Sequence, residues 1–355
     1  MTPIVRDILE LANRAPSGEN TQPWRWQIQG DRIDLFDIHS ADRSLYNSGN
    51  RGSFVAHGAV IENLCAAASA FGFSPRVEID GAGTHSDHIA TVILGAQGDR
   101  PSIDLAQAIR ERVTNRFPYE NRPLVAAERA ALLESDGSAV TGQFFLVERE
   151  ADRARLARAG CASELVLFSH EHLHRSFFDH IRWTDAEEQS ARTGMHVASL
   201  GLAEKQVPVF RLFSRWRVMR LLPFLPALIA KQNARVYATG SAIGVLSVRA
   251  TERNELIAAG RRFEHLWLAA TRLGLSFQPL SGIFFLACAL DDPQTAPLFS
   301  PRHARAIRKA IADIRSICAL PQTETPILMF RIGRSLAAPK QSVRRPLDSS
   351  VSHGS

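Results

Sequence analysis

The pattern of hydrophobic and polar positions predicts helices that alternate with short strands. Hydrophobic residues recur at helical spacing over residues 4–14, and Pro16 stops that helix. Residues 24–28 and 32–36 alternate in polarity on either side of a Gly-Asp turn, which predicts a β-hairpin. An alanine-rich segment, residues 56–71, is typical of a buried helix, and the glycine that follows it is a common helix terminator.

An internal repeat relates the first part of the chain to the second. Residues 58–74 align without a gap with residues 260–276, although two alanine-rich helices can also align by chance. A strand-like segment follows the terminating glycine in both copies, which favours a real repeat. The identical pairs are Gly58/Gly260, Glu62/Glu264, Leu64/Leu266, Ala67/Ala269, Ala68/Ala270, Gly72/Gly274 and Ser74/Ser276.

The repeat predicts that the chain consists of two related halves. A strand at residues 88–94 closes the first half, and the polar residues 95–101 are the expected boundary. The second half contains a segment that has no counterpart in the first. The predicted divisions are residues 1–100, residues 101–348 with an insertion at 165–232, and a polar, frayed tail at 349–355.

Composition excludes several classes of protein but does not identify a partner. The 355 residues are 45% hydrophobic and 22% charged, which fits a globular protein of one large domain or two. The net charge of +6 comes almost entirely from arginine, since only four lysines occur, and no basic stripe with interleaved aromatics predicts nucleic-acid binding. The four cysteines form no C-x-x-C pair, and three of them lie in apolar runs, where they are expected to be buried thiols.

No targeting signal is expected from the first residues, which are partly acidic and lack a long apolar core, so the cytoplasm is the expected compartment. The most hydrophobic segment, residues 207–230, contains four arginines and two prolines. Burying those groups in a bilayer would be too costly for a spanning helix, and stable membrane insertion is not expected. The same segment is suited to lie on a membrane surface or to cover a pocket.

One motif suggests a metal site. Residues 170–174 match H-E-x-x-H, which on a helix places two imidazoles one turn apart beside a glutamate. A zinc hydrolase needs a third ligand, for which Glu187 or Glu188 would have to serve. The alternative is a solvated helix face within the insertion, and we assign no metal.

Two other segments carry groups that suit an anionic, aromatic ligand. Residues 14–24 place a Pro-Ser-Gly turn between a helix and a strand, and such a turn exposes backbone N–H groups beside a hydroxyl and an amide. Residues 112–124 begin with Arg112, Thr114 and Arg116, whose two guanidinium groups can converge on a phosphate. A basic pair near the C-terminus can add positive charge. Each segment alone also fits a simple turn or a solvated face.

Taken together, these segments resemble the FMN-dependent nitroreductase family over nearly the whole chain. The family's Pro-Ser-x-x-Asn-x-Gln-Pro-Trp and Arg-x-Ser/Thr-x-Arg/Lys-Phe motifs are both present, followed by Gly-Leu-Ser, a Pro-Leu-x-Gly turn and an Arg-x-Gly strand. The resemblance implies an α+β fold with mixed or antiparallel sheets wrapped by helices, and it implies FMN as cofactor. The residues that it implies for the cofactor site are Arg14, Pro16, Ser17, Asn20, Gln22, Arg112, Thr114, Arg116, Leu280, Ser281, Gly282, Arg344 and Arg345.

The order of the motifs points to the long, internally duplicated branch of that family. Family members usually form homodimers in which each flavin touches both subunits. Here the Pro-Ser segment occurs only in the first half and the arginine segment only in the second, so one complete site is expected. The chain would then be a single-chain pseudo-dimer holding one FMN, either monomeric or a weak homodimer.

The family resemblance also shows departures. Lysine, which many relatives place near the flavin pyrimidine, is almost absent, and Ser281 replaces an acidic residue, while Gly282 is kept for flavin N5. The expected function is hydride transfer from NAD(P)H through FMN to nitroaromatic, quinone or similar conjugated acceptors, with no side chain assigned as catalytic. The insertion, through Phe210, Phe213, Trp216 and Phe224, is expected to be a lid. The alternatives are a protein that sequesters FMN with little turnover, a membrane-surface protein and a zinc hydrolase.

Overall fold

The strands form two main sheets and one small one. The computed structural model describes residues 1–81, 87–96, 103–135 and 142–353, and part of the predicted boundary at 95–101 lies outside them. The strands are β1 (Trp24–Gln29), β2 (Arg32–Asp37), β3 (Arg76–Ile79), β4 (His88–Ile93), β5 (Phe144–Val147), β6 (Ile181–Arg182), β7 (Met195–His196), β8 (Ala242–Val248), β9 (Ser276–Pro279), β10 (Thr325–Gly333) and β11 (Val351–His353).

Helices cover both main sheets. The helices are α1 (Pro3–Ala12), α2 (Arg51–Ala70), α3 (Ile103–Glu111), α4 (Ala126–Glu134), α5 (Glu150–Gly160), α6 (Ala162–Ser169), α7 (Glu171–Asp179), α8 (Asp185–Ala191), α9 (Val207–Phe213), α10 (Trp216–Leu221), α11 (Leu225–Tyr237), α12 (Arg253–Arg272), α13 (Gly282–Asp291) and α14 (Pro301–Ile317).

The two main sheets have the same topology. The first has the strand order β11-β1-β2-β4-β3, and the second has the order β5-β8-β10-β9. If β11 is left out, the strands of each sheet follow the same spatial order, in which the first strand along the chain lies beside the second, the second beside the fourth, and the fourth beside the third. All neighbouring strands in both sheets are antiparallel. A twenty-residue helix joins the second and third strands in each, α2 in one and α12 in the other. The predicted α+β fold with two similar halves is therefore confirmed.

The repeated helices α2 and α12 pack directly against each other where both carry a glycine. A Cβ atom added at Gly58 would lie 2.0 Å from the Ile257 carbonyl oxygen, and one added at Gly260 would lie 2.0 Å from the Val55 carbonyl oxygen. Only a residue without a side chain lets the two backbones approach this closely. The aligned glycines therefore fix the point at which the two halves cross.

The end of α1 is tied to the first sheet by one buried amide. Asn13 Oδ1 accepts hydrogen bonds from the indole Nε1 of Trp24 at 3.0 Å and of Trp26 at 2.9 Å. All three side chains are buried, so these bonds satisfy polar groups that have no access to water. The connection between α1 and β1 is consequently held as a short loop at the edge of the core.

The last residues return to the first half and correct one prediction. Strand β11 pairs in parallel with β1, with Trp26 opposite Val351. The Trp26 N–H donates to the Ser350 carbonyl at 2.6 Å. The expectation of a frayed tail from residue 349 is thus wrong through residue 353, because the open edge of β1 gives these residues backbone partners.

The connection between β5 and β8 consists of helices α5 to α11 with the small sheet β6–β7. In the first half the corresponding connection is the tight turn between β1 and β2. The predicted limits of the insertion, residues 165 and 232, fall inside α6 and α11, so the additional elements extend beyond the prediction on both sides. Within the described ranges, no helix combines the length and apolarity that crossing a bilayer requires.

Candidate functional site

A cavity of about 340 Å³ lies between the two halves. This volume falls within the range of about 300–1,000 Å³ that is common for small-molecule sites. The first half contributes the loop after α1 and part of α2, and the second half contributes α12, β9 and the start of α13. The apolar part of the wall includes Val55, Ala56, Phe263, Trp267 and Leu328.

The loop between α1 and β1 forms one wall in a strained conformation. Glu19, Asn20 and Gln22 all have positive φ angles, of 48°, 57° and 52°. Non-glycine residues rarely adopt this region, and where they cluster the surroundings must hold them there. Ser17 helps to do so, because its Oγ accepts the Gln22 N–H at 2.9 Å.

The arginine segment reaches the cavity along an edge strand. Thr114 forms an isolated parallel bridge with Phe277 of β9, and the Asn115 N–H donates to the Phe277 carbonyl at 2.9 Å. This pairing places Thr114 and Arg116 in the cavity wall. Arg116 is further fixed by a 2.9 Å hydrogen bond from its Nη1 to the Ser199 carbonyl.

A smaller polar pocket of about 90 Å³ continues from the cavity, since both are lined by Pro16, Ser17, Thr114 and Arg116. Three further arginines converge on this pocket. They are Arg14 from the end of α1, Arg112 from the arginine segment and Arg344 from the C-terminal segment.

The three arginines form a cluster of like charge in which Arg112 is buried and Arg14 and Arg344 are half-buried. Burial and the neighbouring guanidinium groups of Arg112 and Arg14 lower the pKa of Arg344 to about 9. Burial also lowers the pKa of Arg14 and of Arg112. Glu264, whose Oε1 lies 2.9 Å from Arg112 Nε, compensates only part of this charge, because burial raises its pKa to about 8. The pocket therefore favours an anion.

Most of the residues predicted for the cofactor site line the cavity or its polar pocket, but three do not. Gln22 is buried beside the site, where its amide donates to the Arg192 carbonyl at 2.8 Å and accepts the Arg345 N–H at 2.8 Å. Leu280 is buried in the core, and Arg345 lies outside the pocket next to Gln22. Spacing in the sequence cannot separate these three from Ser281 and Arg344, which do line it.

The turn before α13 brings a glycine to the cavity wall. A Cβ atom at Gly282 would lie 3.3 Å from Tyr46 Cε1 and 3.4 Å from Ser163 Oγ, tighter than ordinary contact. Ser281 is fixed by β10, since its Oγ donates to the Met329 carbonyl and accepts the Met329 N–H, both at 3.1 Å. The backbone at Gly282 is therefore held rigidly and left open toward the cavity.

The insertion does wall the cavity, but not with the aromatic residues that were expected. Leu167, Phe177 and Met195 line it. Phe210 instead packs on Phe178, with 5.1 Å between ring centroids, and Phe224 is 63% exposed. Phe213 and Trp216 also lie outside the lining, behind the helix that carries Phe177.

Several lining residues were missed by the sequence reasoning. Lys340, one of only four lysines, lines the polar pocket and forms ion pairs with Asp185 and with Glu188, the latter at 3.1 Å. Glu19 lies between the cavity and the pocket, and its Oε2 is 3.0 Å from His180 Nδ1. Glu19 occupies a variable position of its motif, so no sequence signal identified it.

The H-E-x-x-H segment does not form a metal site. His170 caps the start of α7, where its Nδ1 accepts the Leu173 N–H, and the buried His174 hydrogen-bonds the Phe213 carbonyl through Nε2 at 2.9 Å. Glu171 pairs with Arg175 one turn further along the helix. Each group thus has a local structural partner.

One carboxylate and histidine cluster elsewhere has metal-like spacing, namely Asp185, Glu188 and His196. The Lys340 ammonium already forms ion pairs with both carboxylates. His196 Nδ1 accepts the Ala198 N–H at 3.1 Å, so its Nε2 carries the proton and has no lone pair for a metal. This cluster is therefore an ion-pair network beside the polar pocket.

Comparison with known proteins gives relatives for most of the chain. No family model matches it. An uncharacterised protein of Mycobacterium tuberculosis is 28% identical over 332 residues, which cover 92% of this chain but only 45% of that protein. Two M. tuberculosis proteins named "Putative NAD(P)H nitroreductase" are 28% and 25% identical, covering 82% and 78% of this chain and 83% and 76% of their own lengths. These matches confirm the resemblance to the nitroreductase family.

Solved structures with partial likeness carry related names. The FMN-dependent nitroreductase NfnB from Mycobacterium smegmatis in complex with NADPH is 13% identical, with 70% of this chain and 96% of that chain covered and a TM-score of 0.40. A nitroreductase with bound FMN from Bacteroides fragilis is also 13% identical, with 67% and 93% covered and a TM-score of 0.36.

Proposed function

Proceeding from this relationship to the nitroreductases, we propose that the chain is an FMN-binding oxidoreductase that takes electrons from NAD(P)H. Its acceptors would be nitroaromatics, quinones or similar conjugated molecules. The observation that carries the proposal is the cluster formed by the buried Arg112 and the half-buried Arg14 and Arg344 at the polar end of a cavity whose other walls are largely apolar. A flavin mononucleotide has the matching distribution, a flat aromatic ring at one end and a phosphate at the other.

The residues that are present fit this cofactor in two independent ways. Arg344 Nε is buried without a hydrogen-bond partner, which is costly unless a ligand supplies an acceptor. Gly282 leaves space that a side chain would fill. The three arginines would hold the phosphate, while Pro16, Ser17, Thr114, Arg116, Ser281 and Gly282 would surround the ring.

When bound, FMN supplies the two-electron chemistry between the nicotinamide and the acceptor. The chain's own residues bind and orient the cofactor and the acceptor, and they exclude water. Trp267 and Phe263 close one wall, and Phe177 of the insertion contributes to the other, so the acceptor must be flat and largely apolar. Arg112 is held over Trp267, with its Cζ 4.4 Å from the ring centroid, which keeps the guanidinium aimed at the polar pocket.

Glu19 and His180 can hold a proton at the wall of the cavity. The hydrogen bond to Glu19 raises the pKa of His180 to about 9, and burial raises the pKa of Glu19. Reduction of a quinone or nitro group consumes protons as well as electrons. A carboxyl group with a raised pKa, paired with a protonated imidazole, is suited to supply them.

We further propose that the chain is a pseudo-dimer with a single site. The strained loop after α1 comes from the first half, and the arginine segment comes from the second. The C-terminal segment carries Arg344 to the same pocket, where Asn20 Nδ2 donates to the Val343 carbonyl at 3.0 Å. Binding of two FMN molecules per chain would contradict this proposal.

The decisive experiment is the visible absorption spectrum of the purified protein after reconstitution with FMN, repeated without oxygen after adding NADPH. A flavin spectrum that bleaches promptly supports the reductase. A flavin spectrum that persists would instead favour sequestration of the cofactor. Absence of bound flavin would overturn the proposal.

A further inference from the structure

The outer face of the insertion combines exposed apolar side chains with unpaired positive charge. We call the outward side of α9, α10 and α11 the basic apolar face. Five of the eleven large apolar side chains that are exposed among the described residues belong to it. They are Val209, Leu212, Leu221, Phe224 and Leu228, of which Leu221 is 77% exposed.

Charge on this face has only one sign. Residues 207–237, which form α9 to α11 and their links, contain six lysines and arginines and no aspartate or glutamate. All six are exposed, and none forms an ion pair with a described residue. They are Arg211, Arg215, Arg217, Arg220, Lys231 and Arg235.

The three helices present these groups outward because their other sides are already packed. Phe210 of α9 contacts Phe178 and Trp183, and Trp216 of α10 lies 5.2 Å from His174 between ring centroids. Asn233 of α11 donates to the half-buried Glu164 at 2.5 Å.

On α11 one apolar and two cationic side chains lie along the same side of the helix. Leu228, Lys231 and Arg235 are spaced three and four residues apart, so they lie on the same side of the helix. Links of two and three residues join α9 to α10 and α10 to α11, which keeps the three faces adjacent.

We propose that the basic apolar face binds peripherally to an anionic lipid bilayer. On such a face, exposed leucine and phenylalanine side chains can reach the acyl boundary while the neighbouring arginines and lysines meet anionic headgroups. The prolines at positions 223 and 226 shape the turn that exposes Phe224. This inference is independent of the proposed cofactor.

The charge and the apolar groups of this face argue against two other partners, a second copy of the chain and a nucleic acid. A second copy of the chain docked through the same face would bring six further cations against these six, which is unfavourable. A nucleic acid would pair with the arginines but would offer no apolar partner to Leu221 and Leu228. An anionic bilayer satisfies both features at once.

The test is co-sedimentation of the full chain with vesicles. Phosphatidylcholine vesicles are compared with vesicles containing about 30% phosphatidylglycerol, which give the surface a negative potential. Binding is expected only to the anionic vesicles, and it should weaken as the salt concentration rises from about 0.1 M to about 0.5 M.

Two sets of substitutions separate the charged and apolar contributions. Each arginine near the surface is expected to account for about a 5-fold change in partitioning, so Arg217→Gln with Arg220→Gln should weaken binding by about 30-fold. Leu221→Ser with Phe224→Ser should also weaken binding but leave its salt dependence unchanged. Arg302→Gln with Arg308→Gln, at exposed positions of α14, is the matched control and should have no effect.

Equal binding to neutral and to anionic vesicles would overturn the proposal. It would also be overturned if the α14 control lost as much binding as the variant with Arg217 and Arg220 replaced. A third contradicting result would be that the parent chain, like every variant, fails to sediment with anionic vesicles. Self-association without lipid that the Leu221 and Phe224 substitutions abolish would assign the face to a second copy. Binding to a DNA duplex without binding to vesicles would assign it to nucleic acid. Unchanged thermal unfolding of each variant shows that the fold is intact.

Discussion

Replacing Arg344 by glutamine should weaken FMN binding, and in the protein without cofactor the relief of crowded positive charge should offset much of the stability that its hydrogen bonds contribute. The Arg344 guanidinium lies in the polar pocket beside Arg14 and Arg112, and its Nη2 donates to the Arg14 carbonyl at 3.0 Å and the Ala15 carbonyl at 3.3 Å. The substitution removes one charge from a cluster that has too many. It also removes one of the groups that would hold the phosphate.

Two opposing terms determine the stability of the variant. Burial and the like charges of Arg112 and Arg14 lower the pKa of Arg344 from its ordinary value to about 9, which corresponds to roughly 5 kcal/mol of unfavourable free energy at neutral pH. Hydrogen bonds from a charged donor contribute about 1.5–3 kcal/mol each, and the guanidinium makes three, to the carbonyls of Arg14, Ala15 and Ser342, so losing them costs about 4–9 kcal/mol. The two terms partly cancel, and we expect the free energy of unfolding to fall by no more than about 4 kcal/mol.

Cofactor affinity has no such compensation. Truncating one partner of a buried, hydrogen-bonded charge pair costs about 2–5 kcal/mol, so the dissociation constant for FMN should rise by about 30-fold or more. Titration of the apoprotein with FMN, followed by flavin fluorescence, measures this change. Riboflavin, which lacks the phosphate, should bind the variant and the parent chain equally well.

The neighbouring Arg345→Gln is the control, because Arg345 lies outside the pocket. Its substitution should leave the FMN dissociation constant unchanged. Equal effects of the two substitutions on FMN would refute the assignment of the phosphate pocket. An equal loss of FMN and riboflavin affinity in the Arg344 variant would show that the residue supports the fold rather than the phosphate.

Three further predictions concern packing and protonation. Gly58→Ala should destabilise the protein by about 3 kcal/mol or more in denaturant unfolding, since its Cβ would overlap the α12 backbone, whereas Gly81→Ala, with no neighbour within 4 Å, should change little. Asn13→Ala should cost about 2–5 kcal/mol because two buried indole N–H groups lose their acceptor, and a loss below 1 kcal/mol would contradict this assignment. Glu19→Gln should lower the pKa of His180 from about 9 toward 6.5, as an NMR titration can measure. The parent chain keeps the full stabilisation from this pair from pH 6.5 down to the raised pKa of Glu19, and it loses that stabilisation as the pH rises through 9. The variant lacks it throughout.

Local patterns in the sequence were sufficient to predict much of the fold. The hairpin of β1 and β2 and the helix α2 follow from periodicity and turn residues, and both lie where they were predicted. The aligned glycines predicted the repeat, and the structure shows the physical reason for them, the close crossing of α2 and α12. Strand β3 was only indicated as strand-like, because four half-exposed residues carry little pattern.

The sequence by itself determined the element types, the repeat and the motifs that suit a flavin, because these depend on residues close together in the chain. Only the tertiary structure decided which of those residues share a pocket. Arg344 reaches Arg14 across a separation of 330 residues, while its neighbour Arg345 points elsewhere. Lys340 and Glu19 likewise line the same pocket only because the folded chain brings these distant segments together. Contacts between distant segments depend on how the two halves and the C-terminal strand pack, and no local spacing encodes that packing.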